Sequence, residues 1–574
     1  MSKLKIIISL TVVTLISAAL LLVVFRKNAR SSELTVRYPF NKALFPPEFP
    51  APTFEWISKA KESSSWEISL ITGNKKYSIN STTDKTKWTP EESKWDSLKV
   101  LSGFEKIYFT VKRSGQGGAS AKISLSISRD CVGAPILYRQ MPIPFILAEK
   151  RLDSMNFMLI NIGSKTRPHV AMKGFPVCGN CHSFSADGNT IGLDLDAGLR
   201  DKGGYFVSPI KDTILFNPDN YMSWSKIEKR RTFGLFSKIS PDGRYIVTTV
   251  KDRVLMKNFP VNPVENVIFS QLFFPVNGHL AIYDRQTHIL KELPGANFDE
   301  YVQSNATWTP DGKNIVFARA RSLPRDSNIY EINVQDENLI DQFVKRKKTF
   351  KYDLCIIPFN NGEGGEAVPV KGASANGKSN YFPAVSLDGK WIVYCQAENF
   401  MLLMPDSRLF IVPIEGGKAR MLNSNLYSMN SWHAWSPNSR WIVFASKGMS
   451  LYTDMYLTHI DENGNDGIPV LVEKARVPYR VINYPEFVNR KADFTFEMKY
   501  DYVELAHVKR AVKNGEIEKA KILFHKLESQ NPFFFTEDCL ELSDLLKTMG
   551  MVEESKKYAE QAKHTINSNL FDNQ

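Results

Sequence analysis

Six cysteines in 574 residues are too few for a disulfide-built scaffold. Cys131, Cys355, Cys395 and Cys539 stand alone. Cys355 and Cys395 sit in apolar strand-like runs, where a small buried thiol is expected. Dense basic runs are also scarce. A formal charge of +12 is mild over this length, and beyond short clusters such as Lys345-Arg346-Lys347-Lys348 the cations read as solvated faces, so nucleic acid is not an expected partner. No Gly-x-Ser-x-Gly elbow, Walker loop or His-Glu-x-x-His pattern occurs, and no nucleophile–base pair is readable. Enzyme status therefore stays open, with an electron-transfer or binding role favoured over catalysis.

Long apolar runs are missing with one exception, residues 6–25. Lys3 and Lys5 precede this run, and Arg26, Lys27 and Arg30 follow it. About 20 apolar residues suffice to cross a bilayer as a helix. Ser17-Ala18-Ala19 lies inside the run rather than at its end, which favours an uncleaved anchor over residues 1–30. Residues 31–145 then alternate apolar and polar positions, as in Trp66-Glu-Ile-Ser-Leu-Ile71 and Lys106-Ile-Tyr-Phe-Thr-Val-Lys112, with Gly/Ser-rich turns between. Period-two alternation predicts half-buried strands, here a fibronectin-type-III-like β-sandwich.

Residues 146–495 repeat one pattern. Ser185-Ala-Asp-Gly188, Ser240-Pro-Asp-Gly243, Thr309-Pro-Asp-Gly312, Ser386-Leu-Asp-Gly389 and Ser436-Pro-Asn-Ser439 are each followed by a short apolar strand. Pro presets φ in such a turn, and Asp-Gly supplies the positive φ of a tight hairpin. A further strand trails each turn, as in Leu354-Cys-Ile-Ile-Pro358 and Leu409-Phe-Ile-Val-Pro413, so the expected unit is a four-stranded repeat that closes radially. These repeats resemble the WD-type blades of TolB-like β-propellers over most of residues 156–490. The resemblance implies six blades. Five are evident, and a sixth is expected from the segment before Cys178 joined to the segment around residues 479–488. From residue 496 the period turns helical. The stretches after Gly515 and Gly550, about 35 residues apart, match the second helices of two tetratricopeptide-like hairpins, with small residues at Ala520 and Ser555 for close helix approach. The fold class is thus mainly β, with an N-terminal transmembrane helix, a sandwich, a propeller and a small α-helical tail over 496–574.

Cys178-Gly-Asn-Cys181-His182 is the sharpest chemical signal. Two thiols at this spacing can form thioethers to the vinyl groups of one haem, with the adjacent imidazole as an axial iron ligand. Three other uses stay open: a dithiol redox pair, which wants a thioredoxin-like helix N-terminus; half of a zinc site, though no second Cys-x-x-Cys follows; and a structural disulfide. For the sixth iron ligand Met172 and His169 are the nearest upstream candidates. Met155, Met158 and His433 are weaker ones, and an open or water-ligated iron is a further alternative. Asp194 and Asp196 alternate along a strand and are expected to face solvent, with a metal or acid–base role as the weaker alternative.

The stretch Gly174-Phe-Pro-Val-Cys to Gly188, with Leu193-Asp-Leu-Asp196 after it and Val132-Gly-Ala-Pro-Ile-Leu-Tyr138 before it, resembles TolB-like propeller proteins that carry one Cys-x-x-Cys-His at the start of a blade. That resemblance implies a mono-haem protein on the outer face of the cytoplasmic membrane. Haem c is attached there only after export, which sets the anchor with its N-terminus inside and the bulk of the chain in the periplasm. The expected partners are a redox protein or an envelope component meeting the propeller and helical tail. The competing expectation is a TolB-like interaction scaffold whose haem is structural or absent.

Overall fold

A computed structural model describes residues 34–59, 65–115, 118–143, 154–173, 178–197, 201–259, 271–325, 331–500, 505–530, 534 and 536–571. The expected anchor over 1–30 lies outside these residues. Among the described residues no helix is long and apolar enough to cross a membrane.

Each repeat turn is closed by its own side chains. Ser185 Oγ donates to Asp187 Oδ1 (2.6 Å) and accepts from the Thr190 N–H (3.0 Å), and Asp187 Oδ1 also accepts from the Asn189 N–H (2.8 Å). The same circuit recurs at Ser240/Asp242, Thr309/Asp311, Ser386/Asp388 and Ser436/Asn438. Gly188 takes the left-handed turn position at φ 66°, and Ser439 takes it at 58° in the fifth repeat. The repeated Ser and Asp are therefore a hydrogen-bond device in addition to a backbone preference.

The strands fall into six four-stranded antiparallel units, five of them carrying such a turn, and the second and third are joined by one parallel bridge between Gly278 and Val302. The first runs outward from Cys178–Phe184 through Thr190–Ala197 and Asp201–Pro209 to Tyr221–Ser223. The inner strands of the second to fifth are Lys238–Ile239, Tyr301–Trp308, Ser379–Val385 and Asn430–Trp435. The sixth joins the two ends of the region: Arg480–Phe487 is its inner strand and pairs antiparallel with Ile136–Pro142, followed by Asn156–Ile160 and His169–Lys173. The expected union of both chain ends in one sheet is thus present. It begins earlier than anticipated, because Ile136–Pro142 lies before position 145. Neighbouring inner strands touch in cyclic order, first to sixth and back to first, which makes a propeller-like ring.

Residues ahead of the ring form a three-stranded and a five-stranded sheet sharing one core, in which Phe54 stacks on Phe109 at 4.2 Å. A helix over Glu92–Ser102, absent from the sequence expectation, buries Trp95 and Leu98 against this core and ends at Gly103 with φ 59°. The unit sits on the fifth sheet. Trp441 Nε1 donates to the Asp130 carbonyl (3.0 Å), and His459 Nε2 meets the Asp130 carboxylate at 2.6 Å. At the other end, helices Leu505–Lys513, Ile517–Ser529, Thr536–Thr548 and Val552–Phe571 form two hairpins around a separate core. Ala520 and Ser555 are fully buried there, and Ser555 Oγ donates to the Ser543 carbonyl at 2.8 Å. Glu497–Tyr500 pairs in parallel with Thr213–Phe216 and ties the tail to the first sheet.

Candidate functional site

The Cys-x-x-Cys-His segment is the innermost strand of the first sheet. A bulge between Gly179 and His182 takes Asn180 and Cys181 out of the ladder with Thr190–Ala197. Matching bulges interrupt the inner strands of the third to sixth sheets. Four residues before each turn Ser or Thr stand Cys181, Phe236, Asn305, Phe382 and Trp432, and Tyr484 holds this place in the sixth sheet. The last five all have φ between 45° and 60°, a conformation that bulky residues adopt only where the surroundings hold them. Phe236 and Phe382, from sheets that are not neighbours, bring their rings to 5.4 Å. Cys181 and Tyr484 pack on the same cluster. Cys181 therefore occupies a repeat position that faces the ring axis.

His182 points elsewhere. It is 1% exposed and lies between the first and sixth sheets. The rings of Phe157, Phe184 and Tyr484 meet it edge-on, with centroids at 6.1, 5.7 and 5.4 Å. Neither imidazole nitrogen has a hydrogen-bond partner of normal geometry. Burial holds its pKa down at about 3, the charges of Lys238 and Arg139 add to this, and the Leu137 backbone acts the other way. The ring is thus neutral at neutral pH, with a lone pair free for coordination.

Burial pushes the Cys181 thiol up to about 12 and Asp194 adds to this, while Arg139, Lys238 and a hydrogen bond with Tyr484 act the other way. A thiol held protonated is a poor attacking group, so dithiol exchange loses support. Among the described residues no cluster of three or more His, Cys, Asp or Glu could hold a metal ion. The Cys178 side chain lies outside the described part.

Sequence reasoning missed the polar frame of this site. Arg139, from the sixth sheet, donates through Nη1 to the Gly179 carbonyl. Lys238 Nζ donates to the His182 carbonyl (3.4 Å) and to Glu486 Oε1 (3.2 Å), and stands 5.1 Å from the Tyr484 ring centroid. The available signal was the repeat register: Lys238 lies two residues before turn Ser240, on the strand next to the motif. The expectation that Asp194 and Asp196 face solvent is overturned, since they are only 7% and 3% exposed. Both faces of a radially stacked sheet are covered. Leu193 and Leu195 pack toward the sixth sheet, while the Asp194 carboxylate interacts with Phe236 and Ser237 of the second. Burial pushes the Asp194 carboxyl well above its usual range, and Asp196 pairs with Lys202.

The upstream candidates separate cleanly. Met172 is 6% exposed, pairs in register with Phe157, and belongs to the core between the sixth and first sheets. It therefore shares a gap with His182. His169 lies on the same outermost strand, but its Nε2 meets the Phe496 carbonyl at 3.1 Å beside Asp212 and Arg490. Met158 packs in the core shared with the sandwich, and Met155 against Met141 and Val481. His433 stands at the repeat position of His182 in the fifth sheet. Its Nε2 is engaged by the Val393 carbonyl at 3.0 Å, and burial holds its pKa down at about 4. The donor set is that of a haem of the c type, two cysteines and a neutral imidazole on one strand with Met172 in the gap that His182 enters, while Cys181 leaves the strand toward the axis.

No family model matches the chain, and no curated protein matches it. Among solved structures it is similar to TolB from Acinetobacter baumannii, at 13% identity over 67% of this chain and 79% of that one, with a TM-score of 0.37. It is also similar to Kuenenia stuttgartiensis hydrazine synthase (13% identity, 61% and 91% covered, TM-score 0.31). A third likeness is to the periplasmic gluconolactonase of Pseudomonas aeruginosa (13% identity, 61% and 99% covered, TM-score 0.31). The likeness is to TolB-like and other β-propeller proteins, and it is distant.

Proposed function

We propose that this chain is a membrane-anchored, periplasmic mono-haem protein of the cytochrome c type, working in electron transfer from a six-bladed TolB-like propeller. Cys178 and Cys181 hold the haem through thioethers, His182 ligates the iron, and Met172 serves as the sixth ligand in preference to His169. When bound, the haem supplies a one-electron couple, and a thioether ligand would raise its potential relative to a second imidazole. The chain's own part is to bury the imidazole, keep it neutral and exclude water with Phe157, Phe184 and Tyr484. Arg139 and Lys238 brace the backbone on either side. Residues 1–30 tether the protein to the inner membrane, and the tetratricopeptide-like tail recruits a redox or envelope partner.

The observation that carries this reading is the His182 imidazole. A buried polar ring with neither nitrogen in a hydrogen bond of normal geometry is costly unless it serves a ligand. The test is to express the full chain with the haem-attachment machinery, denature it, and look for a haem spectrum that stays with the polypeptide. Loss of that spectrum in Cys181→Ser supports the assignment. A wild-type chain with no covalent haem under these conditions refutes it.

A scaffold role with structural or absent haem has one observation in its favour. Phe157, Phe184 and Tyr484 pack edge-on against His182, as they would around a residue of the core. That role expects the Cys178→Ser, Cys181→Ser form to fold and bind its partner as the wild type does.

A further inference from the structure

A second site lies on the ring axis. A cavity of about 200 Å³ is lined from all six inner strands on the side of the repeat turns. Its walls are preorganised. Trp308 Nε1 donates to the Lys238 carbonyl (3.1 Å) and Trp435 Nε1 to the Ala384 carbonyl (3.0 Å), so both indoles are pinned with their polar edges spent. At the floor, Asn305 Oδ1 accepts from the Phe382 N–H (2.6 Å), which leaves the amide NH₂ to donate to a ligand. Among the described residues, Lys238 and Glu486 are the lining residues with charged side chains, and His433 is neutral. They lie 3.2 Å apart, with side chains 19% and 20% exposed.

We infer that this cavity binds a small zwitterion of the α-amino-acid class, with its carboxylate on Lys238 and the Asn305 amide, its ammonium on Glu486, and its side chain against Trp308 and Trp435. Charge bookkeeping selects the class. A simple anion meets the Glu486 carboxylate, a simple cation meets Lys238, and an uncharged apolar molecule leaves both ends of the pair without use. A molecule carrying both signs replaces one internal ion pair by two external ones at no net charge. Size agrees: a space of about 200 Å³ accommodates a single amino acid. The left-handed φ of Asn305, Phe382, Trp432 and Tyr484 around the floor places held-in strain where a ligand would sit.

The proposal stands apart from haem attachment, so its failure leaves that reading untouched. The experiment is calorimetric titration of the full chain with L-leucine and L-phenylalanine. Each is compared with its decarboxylated amine and its deaminated acid. At least one amino acid is expected to bind, with both of its analogues about tenfold weaker or worse. Lys238→Met and Glu486→Gln are expected to weaken it similarly. Asn305→Asp guards against simple unfolding. It keeps the acceptor for the Phe382 N–H while turning the donor into a carboxylate oxygen, and about a tenfold loss with an unchanged melting curve is expected. The inference is overturned if neither amino acid binds at about 10 mM, or if an analogue binds as tightly as its parent.

Discussion

Replacing His182 with leucine should stabilise the haem-free protein. The neutral imidazole carries one donor and one acceptor, and both nitrogens lack partners in a site 1% exposed to solvent. A buried polar group left unpaired costs about 1–3 kcal/mol. The Leu137 backbone recovers part of that cost. Against the gain stands the loss of edge-on contacts with Phe157, Phe184 and Tyr484, each worth about 0.5–1.5 kcal/mol beyond area burial, although leucine regains much of the packing. The balance is a gain of about 1 kcal/mol for the variant. Urea unfolding of the full chain expressed without haem-attachment machinery, followed by tryptophan emission, reads this as a higher midpoint at unchanged m-value. In haem-loaded protein the sign should reverse, because the iron ligand is gone. A haem-free variant destabilised by more than about 1 kcal/mol would refute the reasoning, since it would make the ring a packing residue and not a reserved ligand.

Three other outcomes follow from the same structure. His182 and His433 have folded pKa values of about 3 and about 4 against roughly 6.5 unfolded, so the stability they contribute is complete above about pH 6.5 and is lost as pH falls from there toward 4 and 3. Unfolding free energies from urea titrations between pH 7 and 5 should drop by up to about 1.4 kcal/mol per pH unit per histidine, and His182→Leu should remove one histidine's share of that slope. Ser386→Ala removes both the 2.6 Å bond to Asp388 and the 3.0 Å bond from the Trp391 N–H, so a loss of about 1–3 kcal/mol is expected in chemical denaturation, with Asp388→Asn milder because its carbonyl still accepts. Phe524→Ala opens a hole in the helical core alone, and a loss of about 3–5 kcal/mol should appear in the far-ultraviolet helix transition while the tryptophan-reported ring transition stays in place.

The ring was legible because its information is local. Each Ser/Thr-x-Asp/Asn turn, followed by a short apolar strand, specifies a hairpin within a dozen residues of chain. The sixth sheet carries no such turn. It could be expected only from the need to close the ring, and its boundary was misplaced because Ile136–Pro142 pairs with a strand more than 300 residues away. The helix over Glu92–Ser102 escaped notice for a different reason. It buries only Trp95, Leu98 and Ser102, and its polar remainder reads as a loop between strands.

The site was half legible for a related reason. Cys178, Cys181 and His182 are neighbours in sequence, whereas Arg139, Lys238, Tyr484 and Glu486 converge from three other strands. Asp194 and Asp196 show the limit of period-two reading most clearly. Alternation says only that two faces differ, and in a ring of radial sheets the second face meets another sheet rather than water. The repeat register carries more than alternation does. It places Cys181 with the axial residues Phe236, Phe382 and Trp432, while the next side chain, His182, turns into the gap that Phe157 and Met172 line. One strand thereby serves two compartments, an axial cavity and an intersheet pocket. Lys238 touches both, through the His182 carbonyl on one side and Glu486 on the other. A ligand that draws the Lys238 ammonium toward the axis must weaken its hold on the motif backbone. Any change at the proposed haem site on filling the cavity should therefore be lost in Lys238→Met.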